Sequence, residues 1–106
     1  MCAPLRSSGL KKLIFHPDAE AETAKAADFY NGQQKNLGKR FVSAVEEGAA
    51  RVRVDPLIYP IVEGDVRRCL IRTFPFSILF RLKRNRVVIV AVMHLHRKPG
   101  YWKDRD

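Results

Sequence analysis

The sequence predicts an α+β domain that begins with a short strand, continues with a two-helix hairpin and ends with a three-stranded antiparallel meander. Apolar residues recur at three- and four-residue spacing in the first half of the chain and alternate with polar residues in much of the second half. The length of 106 residues suits one domain, because two separate cores would each bury too little surface. We therefore expect a flexible leader over residues 1–10 and a single domain over residues 11–106.

The first predicted elements are a short strand and a helix. Residues 13–15 form an apolar run, and Pro17 follows at a position where the first turn of a helix accepts proline. The segment after it is rich in alanine and glutamate, which favours a helix that continues to about residue 35. Its inward stripe is expected to consist of Ala19, Ala26, Ala27 and Tyr30.

A second helix is predicted over residues 37–53. Its apolar face is formed by residues at helical spacing, namely Leu37, Phe41, Ala44, Val45, Gly48 and Val52. The sequence Asp55-Pro56 ends this helix, because proline disfavours the helical conformation of the residue before it. So few residues separate the two helices that they must form a hairpin, and a proline-bounded linker over residues 56–64 follows them.

Three strands are predicted over residues 66–74, 76–83 and 86–95. In the second strand, apolar residues at every other position indicate one buried face. The third strand is apolar from Val87 to Met93, which is typical of a central strand covered on both faces. Short connections between the strands make the three a meander.

Positive charge is concentrated in the second half of the chain. The formal net charge is +9, and residues 66–106 carry eleven Lys or Arg and two Asp. Such a surface attracts phosphate backbones, acidic protein segments or anionic membranes, although simple solvated surface charge is the alternative. No apolar run approaches the roughly 18 residues of a membrane span, and the first residues lack the apolar core of a signal peptide. We expect a cytoplasmic protein without a membrane partner.

The densest group of reactive side chains lies in residues 94–102, where the last strand ends. On a strand, His94 and His96 would point to the same face, as a proton-transfer pair or as two metal ligands. A third ligand at suitable spacing is missing from the sequence, so we expect neither a metal nor another cofactor.

A ribonuclease that works without a metal needs groups that exchange protons and cations that stabilise the charged phosphorane. Candidates for the first role are His94, His96 and Tyr101. Candidates for the second role are Arg68, Arg72, Arg81 and Arg97. A structural role is the alternative for each of these residues, with His94 and Arg97 bonded at the sheet edge and Tyr101 covering the core.

Several short motifs, taken in order, resemble the RelE/ParE toxin superfamily over roughly residues 12–105. They are Leu37-Gly38, Phe41, Asp55-Pro56, Tyr59-Pro60, Arg68, Phe74-Pro75-Phe76 and the run from Val92 to Trp102. The resemblance implies the toxin of a type II toxin–antitoxin pair, also called a plasmid stabilisation protein. It also implies a cognate acidic antitoxin as partner, with a homodimer or a toxin–antitoxin heterotetramer as possible assemblies.

The resemblance is closer to the ParE-like members, which are described as inhibitors of DNA gyrase, than to the RelE-like members, which cut messenger RNA on the ribosome. In RelE-like sequences a catalytic arginine stands at the position of Ser77, and a catalytic lysine stands at that of Leu70. The pair His94 and Arg97 matches the His-x-x-Arg of ParE-like sheets, whereas Tyr101 matches the catalytic tyrosine of RelE-like enzymes.

The ParE-like resemblance implies a gyrase inhibitor that is not an enzyme. Two alternatives remain open. One is a metal-independent mRNA endoribonuclease that acts with the ribosome and uses Arg68 in place of a missing lysine. The other is an inactive module that only binds an antitoxin.

Overall fold

The chain enters the fold through an edge strand, β1 (Lys12–Phe15), which lies parallel to the last strand, β5 (Arg86–His94). The computed structural model describes residues 12–97 and 100–105. The predicted leader over residues 1–10 lies outside this part of the chain. Parallel pairing of β1 with β5 is possible because the whole helical hairpin lies between them in sequence.

Two helices follow β1 and form the predicted hairpin. Helix α1 spans Pro17–Gln33 and helix α2 spans Leu37–Val54, within two residues of the expected ends. The imidazole of His16 caps α1, since its Nδ1 accepts a hydrogen bond of 3.0 Å from the backbone N–H of Asp18. Between the helices, Asn36 adopts φ 67°, a left-handed conformation that asparagine tolerates and that reverses the chain.

The helices cross closely at Gly38. Its backbone N–H donates to the side-chain oxygen of Asn31 at 2.8 Å, and a Cβ at this position would collide with the carbonyl oxygen of Ala27. Glycine at this position therefore lets α2 lie against the end of α1.

The predicted linker contains a strand that the sequence analysis missed. A short 3-10 helix over Pro56–Ile58 precedes β2 (Ile61–Glu63), and β2 pairs antiparallel with β3 (Val66–Leu70). All three residues of β2 are exposed. A strand that is so short and buries neither face leaves no periodic pattern in the sequence, and only its pairing with β3 defines it.

The sheet has five strands in the order β1-β5-β4-β3-β2, with β4 at Phe76–Leu82. The predicted strand over residues 66–74 ends early, at Leu70, because the backbone N–H of Ile71 donates to the carbonyl of Phe76 and begins the turn into β4. The other two strands end one residue before the predicted limits. The α+β class and the antiparallel meander are confirmed, with four strands in the meander instead of three.

The sheet is covered on both faces. The two helices pack on one face of the sheet, hereafter the helix face. The core on this face includes Phe41 of α2 and Ile78, Phe80 and Ile89 of the sheet. The indole of Trp102, which is 2% exposed, covers the other face, hereafter the second face, against Leu79, Val88 and Met93. Neither face of β4 is left open, since Ile78, Leu79 and Phe80 are all buried. In residues 12–97 and 100–105, no helix has the length and apolar character needed to span a membrane.

Candidate functional site

A β-bulge in β5 directs the side chains at the end of this strand. The register against β4 shifts between Leu79 and Phe80, which leaves Val90 as an extra residue. As a result, Val90 and Ala91 both pack on the second face, and the alternation of side chains is reversed beyond them. His94 therefore faces the helix side, where its ring packs edge-on against an aromatic ring of β4.

His94 and His96 lie close together, although not in the way that the sequence predicted. Strand β5 ends at His94, so His96 lies in the following turn and not on the same strand face. The two rings are nevertheless 5.3 Å apart, and the backbone N–H of His96 donates to Nδ1 of His94 at 3.0 Å. This bond needs a lone pair on Nδ1, so the neutral His94 carries its proton on Nε2.

The C-terminal segment, residues 100–105, wraps around the edge of β5 beyond the end of β1. Trp102 lies on the second face, while the guanidinium of Arg105 donates to the carbonyl of Val90 at 3.0 Å and pairs with Glu22 at 3.1 Å. The other carboxylate oxygen of Glu22 accepts the backbone N–H of Val92 at 3.0 Å. Glu22 and Arg105 thus satisfy backbone groups of β5 that β1 does not reach.

Tyr101 in this segment lies close to two guanidinium groups. The carbon atom at the centre of the Arg97 guanidinium is 4.1 Å from the ring centroid, and that of Arg105 is 5.0 Å away. Burial, followed by the nearby Glu22 carboxylate, raises the pKa of Tyr101 to about 12, against the opposing effect of the two arginines. The hydroxyl is buried without a hydrogen-bond partner among the described residues, so we regard Glu22 as a close charge and not as an acceptor. Tyr101 therefore remains neutral near pH 7.

These side chains surround a pocket of about 340 Å³ between α1 and the end of β5, hereafter the tyrosine pocket. Its wall is largely aromatic, and the cations Lys25 and Arg97 also line it. The lining residues are Glu22, Lys25, Ala26, Phe29, Tyr30, Phe76, Val92, His94, Arg97 and Tyr101. An aromatic wall with neighbouring cations can bind an aromatic or anionic group of a partner molecule.

Comparison with known proteins agrees with this architecture. The family model described as the ParE toxin of the type II toxin-antitoxin system, parDE, matches residues 13–99. The chain belongs to the ParE toxin family. The solved structure titled "Chromosomal ParDE TA system from P. aeruginosa" is similar to this ParE family member, with a TM-score of 0.74 and 19% sequence identity. The match covers 82% of this chain and 98% of the other, and at this identity it concerns the fold alone. No curated protein matches the sequence.

In this ParE family member, two of the candidate cations lie away from the tyrosine pocket. Arg68 lies on the second face, in a shallow depression that Trp102 also lines. Arg81 pairs with Asp65 and donates to the backbone carbonyls of Lys103 and Arg105 at 2.8 and 3.1 Å. These bonds hold the C-terminal segment in place, which is a structural role.

The remaining candidate, Arg72, lies in a second basic region. A groove of about 660 Å³ runs between α2 and the turn from β3 to β4, hereafter the basic groove. Within the part of the chain that the structure describes, Lys39 and Arg40 have no ion-pair partner, and Arg72 is 4.0 Å from Glu47. Glu47 is already bound by Arg51 at 2.7 Å. The groove therefore keeps excess positive charge, and Ala44 and Phe74 contribute apolar surface to its lining.

Sequence reasoning missed two residues that organise the tyrosine pocket, Glu22 and Arg105. Nothing in the sequence distinguishes Glu22 from the exposed acidic residues near it in α1. Its role depends on the unpaired edge of β5, which exists only in the folded protein. Within residues 12–97 and 100–105, no three side chains of the His, Cys, Asp or Glu type are grouped so that they can hold a metal ion.

Proposed function

We propose that this ParE family toxin inhibits DNA gyrase through a protein–protein contact and is neutralised in the cytoplasm by a cognate acidic antitoxin. The observation that carries this proposal is the division of the candidate catalytic groups between two regions of the sheet. His94, Arg97 and Tyr101 line the tyrosine pocket, whereas Arg68 and Arg81 lie on the second face. A contact surface for a protein target does not need these groups to converge.

The same division disfavours the mRNA endoribonuclease. Such an enzyme needs a base and a phosphate-binding cation around one reacting phosphate. Tyr101, with its pKa raised to about 12, is a poor base near neutral pH. Ser77, at the position of the RelE-like catalytic arginine, is completely buried. Arg97 is the remaining candidate cation beside the pocket, and it is stacked on Tyr101.

The tyrosine pocket is the part of the surface that we assign to the target. Aromatic and arginine side chains supply much of the binding energy in protein interfaces, and here Phe29 is 62% exposed beside Arg97. The exposed ring of Phe29 offers apolar surface that a protein partner can cover, next to the cations of the pocket.

The basic groove is the part that we assign to the antitoxin. Lys39 and Arg40 lie in the first turn of α2, where positive charge opposes the helix dipole, so a negatively charged partner would stabilise this end of the helix. The cations of the basic groove and its apolar lining together fit an acidic amphipathic segment. Bound acidic side chains would also pair with Arg72 across the groove.

The test of the target is induced expression of the chain alone in a bacterium, with growth, plasmid supercoiling and transcript integrity followed in parallel. We expect growth to stop with relaxed or broken DNA and intact transcripts, and the purified chain to inhibit purified gyrase. Arg97→Ala and His94→Ala should reduce both effects by at least about tenfold, since each removes one contact worth about 1.4 kcal/mol or more. Arg86→Ala, which removes a cation at the start of β5, is the matched control.

Transcripts cut within codons while supercoiling is unchanged would replace this proposal with the ribonuclease. In that case Arg68→Ala and Arg72→Ala should abolish cleavage. Normal growth at high expression would instead support the second alternative, an inactive module that only binds an antitoxin.

The antitoxin assignment is tested with a small acidic protein whose co-expression restores growth. Lys39→Glu with Arg40→Glu should abolish rescue, because repulsion replaces attraction in the basic groove. Lys12→Glu with Arg86→Glu changes the net charge by the same amount at the other end of the sheet and should leave rescue intact. Equal loss of rescue in both pairs would show that the groove has no special role.

A further inference from the structure

In the part of the chain that the structure describes, the unpaired charges of the tyrosine pocket are both cations. The carboxylate of Glu22 is engaged on both oxygens, by the backbone N–H of Val92 at 3.0 Å and by the guanidinium of Arg105 at 3.1 Å. Lys25 and Arg97 have no ion-pair partner among the described residues. The pocket therefore holds two positive charges that its own carboxylate does not neutralise.

The ring of Tyr101 orients the guanidinium of Arg97. The face of the guanidinium lies over this ring, with its central carbon atom 4.1 Å from the ring centroid. A stacked guanidinium keeps its N–H groups free, because they point outward in its own plane. Two parallel N–H groups of a guanidinium match the two oxygens of a carboxylate. Arg97 is thus arranged to bind a carboxylate without losing its contact with Tyr101.

Lys25 reaches the same pocket from a different element. It lies on α1, one turn before Phe29, and both side chains line the pocket. An anion in the pocket can therefore contact an ammonium group from α1 and a guanidinium group from the segment after β5. Such an anion would also reduce the repulsion between the two cations.

A row of aromatic rings, hereafter the aromatic row, forms the wall of the pocket. The ring centroids of Phe29 and Tyr30 are 5.5 Å apart, those of Tyr30 and Phe76 are 6.2 Å apart, and those of Phe76 and His94 are 5.1 Å apart. The row begins at Phe29, which is 62% exposed, and ends at the last residue of β5. Such a wall packs against apolar groups of a ligand. The chemistry that fits both the cations and the wall is a carboxylate on an apolar stem.

The form of the pocket favours a protein side chain over the backbone of a nucleic acid. Its volume of about 340 Å³ is near the lower limit of the roughly 300–1,000 Å³ that is typical of ligand sites. The backbone of DNA carries phosphates at regular intervals, and several cations along an open surface bind it. The tyrosine pocket instead offers two cations beside an aromatic wall.

We propose that the tyrosine pocket is a carboxylate site that takes an acidic side chain of the toxin's target, with Lys25 and Arg97 as its two cationic contacts. An apolar residue beside that acidic side chain packs on the aromatic row at Phe29. The identity of the target as gyrase rests on the proposed function, whereas the preference for a carboxylate does not. Lys25, which the sequence analysis did not single out, is thereby a residue that determines specificity.

The first experiment needs no gyrase and uses two probes of the same shape, phenylacetate and its neutral amide, phenylacetamide. Each is titrated into the isotope-labelled full chain while NMR follows the backbone amide resonances. Phenylacetate should shift the resonances of residues that line the pocket, and it should bind at least about tenfold more tightly than phenylacetamide. A short DNA duplex should leave these resonances unchanged.

Variants that remove one charge identify the cations responsible. Lys25→Gln and Arg97→Gln should each weaken phenylacetate binding by at least about threefold, as expected for the loss of one exposed ion pair. Neither should change the binding of phenylacetamide. Arg86→Gln is the matched control, because it removes a cation at the start of β5 and should leave both affinities unchanged. The same spectra show whether each variant is folded.

The second experiment measures the inhibition of purified gyrase. Lys25→Gln should raise the half-inhibitory concentration by at least about threefold, since one ion pair with the target is lost. Lys25→Arg keeps the positive charge and should inhibit as the wild type does.

The possible results separate this proposal from the gyrase target. No phenylacetate binding, equal binding of phenylacetate and phenylacetamide, or an equal loss in Arg86→Gln would overturn the carboxylate site. A DNA duplex that shifts the same pocket resonances would overturn the choice of a protein side chain in favour of phosphate. A wild-type chain that prefers phenylacetate but does not inhibit gyrase would overturn the gyrase target and leave the carboxylate site supported.

Discussion

At the scale of single residues, the role of Tyr101 is decided by its environment and not by its residue type alone. The sequence position matches a catalytic tyrosine of RelE-like enzymes, yet burial and the Glu22 carboxylate favour the neutral phenol. Two guanidinium groups stack on the ring without reversing this effect. A tyrosine that stays protonated can pack and present an aromatic wall, whereas proton abstraction at neutral pH needs a much lower pKa.

The ionisation of Tyr101 gives the first prediction. Ultraviolet absorbance titration of the wild type minus Tyr101→Phe should show one phenol with a pKa of about 12, above the ordinary value of 10.0. Because the folded pKa is the higher one, the stabilising contribution of the neutral phenol is complete below pH 10 and is lost as the pH rises through about 12. Replacing Glu22 by Gln should lower the pKa, since it removes the negative charge. A difference titration centred at the ordinary value would contradict this account.

At the scale of elements, a glycine allows the two helices of the hairpin to approach closely. Gly38 packs against the carbonyl of Ala27, whereas Gly32, near the end of α1, has open space where a Cβ would be. Glycine is therefore favourable at position 38 and unfavourable at position 32. One permits a close helix crossing, and the other only weakens a helix.

These two positions give the second prediction. Gly38→Ala should lower the free energy of unfolding by about 1–3 kcal/mol, because the added methyl group collides with backbone and the helices must move apart. Gly32→Ala should raise it by about 0.5–1 kcal/mol through higher helix propensity. Urea denaturation followed by circular dichroism measures both. Equal effects of the same sign would show that the close crossing is unimportant.

The strands show which elements periodicity predicts and which it does not. β4 and β5 were predicted within one residue because their buried residues form long apolar patterns. β2 was missed because it buries nothing, and β3 was predicted too long because its last residues form the turn into β4. The bulge at Val90, which turns His94 toward the helix face, has no pattern of its own in the sequence. Local pattern thus predicts buried strands, but it does not predict exposed strands, strand ends or bulges.

At the scale of the whole molecule, three cations of the basic second half of the chain pair with carboxylates that are distant in sequence. Arg105 binds Glu22, Arg81 binds Asp65 and Lys103 binds Glu63. These pairs neutralise three of the eleven Lys and Arg side chains of residues 66–106. The unpaired cations of the basic groove remain for a partner.

The C-terminal segment gives the third prediction. Trp102→Ala should lower the free energy of unfolding by about 3–5 kcal/mol, because the buried indole covers the second face of the sheet. Phe29→Ala, which removes an exposed ring, should change it by less than about 1 kcal/mol. Thermal melting with matched denaturant curves measures the difference. A small effect at Trp102 would mean that the segment does not support the sheet.

The sequence by itself determined the α+β class, the helical hairpin, the antiparallel meander and the resemblance that the family match confirmed. These depend on local pattern and on short motifs, which the chain carries before it folds. Only the tertiary structure decided the parallel edge strand, the division of the candidate residues between two faces, and the pairing of Glu22 with Arg105. Each of these joins residues that are distant in sequence. Their energies depend on burial and unpaired backbone groups that exist only once the sheet has formed.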